Sequence, residues 1–88
     1  MLTLIDFYAD WCGPCRVMIP ILEDIEKQYA GKVTVKRVNV EEDPSAQQYN
    51  IFNIPTFVIL KDGKEIDRKL GAMPKDIMTK WVDSHLQQ

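Results

Sequence analysis

The stretch Asp6-Phe7-Tyr8-Ala9-Asp10-Trp11-Cys12-Gly13-Pro14-Cys15 decides how this chain reads. Its first part continues the apolar run Leu2 to Tyr8, a strand. Its middle is turn-like, and beyond Cys15 the pattern becomes helical. Met18, Ile21, Leu22, Ile25 and Tyr29 recur at the spacing of one helix face. Pro14 suits a first helical turn, where no intrahelical N–H is needed, and Gly31 suits the end. Pro20 lies inside the helix, removes one backbone bond and predicts a kink.

The rest alternates in kind. Val33 to Val40 reads as a second strand, and Asp43-Pro44 as a cap opening a short helix to about Asn50. Pro55 precedes a third strand, Thr56 to Lys61. Asp62-Gly63 marks a tight turn into a fourth, Lys64 to Leu70. Gly71 ends that strand and Pro74 opens a last helix, with Ile77, Met78, Trp81, Val82 and Leu86 as its apolar stripe. The order β-α-β-α-β-β-α with a right-handed crossover predicts an α/β fold. Its four-stranded mixed sheet carries helices on both faces. Leu4, Ile5, Phe7, Val58 and Ile59 are the expected core.

Composition narrows the function. The chain has 88 residues, 45% of them hydrophobic, and a net charge of -2. That is enough for one domain, taken as residues 1–88, and too apolar for a disordered chain. Scattered Lys and Arg without a basic stripe argue against nucleic acid. No run approaches the length of a membrane span. Met1-Leu2-Thr3-Leu4-Ile5 has no basic segment before it and does not read as a signal peptide, so a cytoplasmic location is expected. A monomer is the expected state.

The two cysteines, Cys12 and Cys15, carry the chemistry. A bridge closing so short a loop removes only about 2 kcal/mol of unfolded-chain entropy, against about 4.7 for a loop of a hundred residues. Such a bond is a poor staple and a suitable redox pair. At the start of a helix, the first sulfur faces unpaired N–H groups and the positive end of the dipole, which favour thiolate. Thiolate is the form that attacks disulfides. Cys12 is therefore the expected nucleophile and Cys15 the resolving thiol. Metal binding is the competing reading. Zinc needs four ligands and the chain offers two Cys and one His, His85, read as a surface or helix-end residue; a metal shared across a dimer is the remaining variant. The methionines read as core filler, with Met73 also a candidate for the docking surface.

The segment from Asp6 to Cys15, with Pro20, Ile54-Pro55-Thr56, Asp62-Gly63 and Gly71-Ala72, closely resembles the thioredoxin family over essentially the whole chain. The resemblance implies a thioredoxin fold, here lacking the usual N-terminal strand and helix, so that Val33 to Val40 becomes an edge. It implies a protein-disulfide reductase that holds no cofactor. Its electrons would come from NADPH or ferredoxin through a separate, thioredoxin reductase-like protein, and disulfide-containing proteins would be its substrates. It implies a cis Pro55 facing the cysteines and leaving the Ile54 backbone free for a substrate strand. Trp11, Gly13, Pro14, Ile54, Pro55, Gly71 and Ala72 would form the docking platform. It assigns Asp6 to proton transfer with Cys15. Two positions depart from the common pattern: Arg37 stands where a Lys is usual near that Asp, and Tyr8 where a Trp is usual. Arg37 is a candidate partner of Asp6; Tyr8 keeps the aromatic bulk and little consequence is expected. An oxidase or isomerase and a purely structural binding module are the alternative functions.

Overall fold

A computed structural model describes residues 1–87. Strand β1 is Leu2–Tyr8, helix α1 Gly13–Gln28, β2 Val33–Asn39, β3 Thr56–Lys61, β4 Lys64–Leu70 and helix α2 Lys75–Leu86. A 3-10 helix, Pro44–Tyr49, links β2 to β3. Its start follows from Asp43, whose Oδ1 accepts from the Ser45 N–H at 2.9 Å, with Pro44 at the first position, where an N–H has no partner to lose. Six residues complete it, and Asn50 closes it with φ +53°.

The sheet order is β2-β1-β3-β4. β1 and β2 run parallel, β1 and β3 antiparallel, and β3 and β4 form the hairpin. Asp62 and Gly63 both take positive φ, +51° and +84°, as a two-residue hairpin turn requires. β2 and β4 are the edges.

Alternation along β1 divides the core. Leu2 and Leu4 face one side and pack with Phe57, Ile59, Met18, Leu22, Met78 and Trp81. Both α-helices lie on that side. Ile5 and Phe7 face the other, with Val58, Ala46 and Tyr49. Helical cover exists on both faces, but it is unequal: two α-helices against one short 3-10 helix. All five expected core residues are buried.

Helix α1 runs through Pro20 as one element of 16 residues. Pro20 is on its exposed side. Two expectations need correction, and a third residue is placed by its packing. Ile77 is exposed, because Met78, Trp81 and Val82 already fill the face of α2 that meets the sheet. His85 is buried: its Nε2 lies 2.8 Å from Asp67 Oδ2 on β4, which also accepts from Trp81 Nε1 at 2.8 Å. Met73, read also as a docking candidate, is partly buried and packs against the α-helical core, its N–H directed at Met18 Sδ, and it does not line the groove beside Cys12.

Candidate active site

Cys12 is the N-cap of α1, in extended conformation, and Cys15 lies in the first turn. The two form a disulfide with their Cα atoms 5.3 Å apart. The Cys15 N–H donates to Cys12 Sγ at 3.2 Å. An unpaired helix-start N–H thus ends on the outer sulfur, where it stabilises negative charge once the bond is reduced. The two sulfurs serve different spaces. Cys12, 4% exposed, lines an open groove of about 340 Å³ with Trp11, Gly13, Pro14, Phe52 and Ile54. Cys15, 1% exposed, lines a separate cavity of about 310 Å³ under Tyr8, Arg16 and Arg37.

The far wall of the groove is the segment before β3. The Ile54–Pro55 peptide is cis. Asn53 carbonyl accepts from Thr56 Oγ1 at 2.6 Å, and Pro55 carbonyl accepts from the Gly71 N–H at 2.8 Å. Gly71 has φ +90°, which suits glycine and strains any other residue. Among the described residues, neither peptide group of Ile54 bonds to another main-chain group.

On β1, Asp6 is fully buried. Burial pushes its carboxyl up to about 6, against the opposing pull of Arg37. Arg37 lies beside it in the β1–β2 register and donates from Nε to Asp6 Oδ2 at 3.2 Å. Asp6 Oδ1 has no hydrogen-bond partner among the described residues. The Arg37 guanidinium also lies over the Tyr8 ring, 4.1 Å from its centre. Arg37 therefore touches Asp6 and lines the cavity that reaches Cys15.

A cysteine pair at a helix start, with a segment of unpaired peptide groups lining the same groove, describes a disulfide-exchange site. Comparison with known proteins agrees with that chemistry. The family model described as Thioredoxin matches residues 1–84. The chain belongs to the thioredoxin family. It is 48% identical over 85 residues to "Thioredoxin 1" of Synechococcus elongatus, covering 96% of this chain and 79% of that one. It is 44% identical over 85 residues to "Thioredoxin" of Chlorobaculum thiosulfatiphilum, with the same coverage. It is 40% identical over 84 residues to "Thioredoxin" of Staphylococcus aureus, covering 94% of this chain and 81% of that one. As a thioredoxin it is a thiol–disulfide oxidoreductase and needs no bound cofactor. Among the described residues no group of three or more His, Cys, Asp or Glu is placed to hold a metal. No described helix is long and apolar enough to cross a membrane.

Of the residues that the thioredoxin resemblance singles out, Trp11, Cys12, Gly13, Pro14 and Ile54 come together in the groove. Pro55 and Gly71 join them through the hydrogen bond that shapes its wall. Ala72 is exposed beyond Gly71 and does not line the groove. Arg37 meets Asp6. Sequence reasoning missed Phe52, which is 88% exposed beside Cys12. Its only signal is a large apolar residue inside the polar-flanked segment Asn50 to Asn53. It also missed Arg16, whose Nε and Nη2 donate to the Asp10 carbonyl at 3.1 and 2.7 Å and tie the active-site turn to α1.

Proposed function

We propose that the chain, acting as one domain over residues 1–88, is a general reductant of protein disulfides in the cytoplasm. Cys12 thiolate attacks a substrate disulfide, forming a mixed disulfide and releasing one substrate sulfur, which takes up a proton. Cys15, losing its own proton, then attacks Cys12 Sγ. The Cys12–Cys15 bond forms, the mixed disulfide breaks, and the second substrate thiol leaves. Two electrons pass from the protein's cysteines to the substrate; Cys15 gives up one proton and solvent supplies the other that the two product thiols need.

The observation that carries this division of labour is the separation of the two sulfurs. Cys12 opens on the groove and receives the helix N–H, whereas Cys15 faces the inner cavity. Asp6 is the proposed proton acceptor for Cys15, and Arg37, which touches Asp6, also lines the cavity that Cys15 lines. A carboxyl near 6 is poised to gain and lose a proton close to neutral pH. Arg37 holds it in place. A thioredoxin reductase-like protein, drawing on NADPH or ferredoxin, would restore the dithiol, and the monomer is the working state.

The test is trapping. Cys15→Ser, mixed with a disulfide-bonded protein substrate, should accumulate a covalent adduct through Cys12 that dithiothreitol reverses. Cys12→Ser should form none. Equal trapping by both variants would overturn the assignment of roles.

A further inference from the structure

We infer that Phe52, together with Trp11, selects substrates whose reactive cysteine is flanked by an apolar side chain; this rests on Cys12 being the sulfur that meets the substrate. Phe52 is 88% exposed and Trp11 is 67% exposed. A phenylalanine left in water forgoes roughly 1.5–3 kcal/mol of burial. Other exposed apolar side chains, such as Val17, Leu70 and Ile77, line no part of the redox groove. Phe52 and Trp11 both line it, together with Cys12 and Ile54.

Phe52 is carried by a segment fixed on both sides. Ile51 packs into the second core cluster beside Tyr49. Asn53 is held through its carbonyl by Thr56 Oγ1. The backbone at Phe52 is thus presented to the groove by anchored neighbours. The occupant follows from continuity with the redox site. Cys12 acts only on a disulfide brought to it, and the unpaired Ile54 peptide beside it suits an extended chain adding as a strand. A strand laid along Ile54 brings the side chains next to its own cysteine past Trp11 and Phe52. Aliphatic or aromatic side chains there would cover both rings. Serine or glycine would leave them in water.

The experiment uses two synthetic peptides with the same intramolecular disulfide, one with Leu and one with Ser beside the attacked cysteine. The reduced protein is mixed with each over a range of concentrations, and Trp fluorescence follows its oxidation. Wild type should prefer the Leu peptide by about tenfold, carried in half-saturation and not in the limiting rate. Phe52→Ser should bring that ratio to about twofold or less, and Phe52→Leu should restore most of it. An unchanged ratio in Phe52→Ser, or no preference in wild type, overturns the selection while leaving disulfide reduction standing. Failure of wild type to reduce either peptide overturns the reductase reading and the selection with it.

Discussion

Arg37 reaches across the parallel pair β1–β2 to donate its Nε–H to Asp6 Oδ2 at 3.2 Å. The same guanidinium lies on the ring of Tyr8. Arg37 therefore joins the Tyr8 ring to the buried acid, touching both. A planar guanidinium can stack on an aromatic face and hydrogen-bond at its edge simultaneously, which an ammonium does less well. Among the influences on Asp6, Arg37 alone favours the charged form, and burial outweighs it. Arg37→Ala should move the Asp6 carboxyl further above 6. A pH titration of that carboxyl by NMR checks it, and a value at or below that of wild type would contradict the pairing.

Asp6 makes stability fall as pH rises. Its folded value of about 6 lies above the ordinary 3.8. The folded chain therefore holds this proton more tightly than the unfolded chain. The cost of burying the charge is absent below about pH 4 and grows to its full size above about pH 6. Asp6→Asn, neutral throughout, should raise stability by roughly 2–3 kcal/mol at pH 8 and change it little at pH 4. Urea unfolding at the two pH values measures this. The same variant should slow resolution of the mixed disulfide.

On the far side of the helical core, Asp67 accepts from Trp81 Nε1 and from the Arg68 N–H, and its Oδ2 contacts His85 Nε2. The Trp81 bond, more than the others, holds its carboxyl below the usual range. Asp67→Ala leaves the buried Trp81 and His85 without that partner and should cost about 1–3 kcal/mol at pH 7. Because the folded value is lowered, this contribution is present at neutral pH and lost as pH falls through the carboxylate range. Urea midpoints of wild type and variant, compared at pH 7 and in acid, read both effects.

Gly71 and Gly13 both border the site but should respond differently to alanine. A Cβ at either position meets nothing within 4 Å, yet only Gly71 has a positive φ. Gly71→Ala should cost about 1 kcal/mol and disturb the hydrogen bond to Pro55 carbonyl. Gly13→Ala, near the start of a helix, should leave stability nearly unchanged. Thermal unfolding of the two variants side by side distinguishes them.

Much of this was legible in the residues. β3 and β4 begin and end where Pro55, Asp62-Gly63 and Gly71 say they should. α1 starts at Gly13, earlier than its apolar periodicity suggests, because the cap is Cys12 itself, whose sulfur takes the place of a Ser or Asp oxygen. The helix after Asp43 is 3-10, a distinction that composition over six residues does not carry. His85 and Asp67 lie on different elements, so spacing within α2 gives no sign that this histidine is buried. Phe52 was missed for the opposite reason. Apolar residues are normally read as core, and nothing local says that this one stays outside.

The most direct test of the account is the reduction potential of the Cys12–Cys15 pair, measured by equilibration against defined glutathione or dithiothreitol ratios. Trp11, next to the disulfide, supplies the fluorescence signal. A dithiol that donates electrons should have a value more negative than a glutathione poise of about -220 to -260 mV. A value near about -120 to -180 mV, the range of oxidants and isomerases, would contradict that role.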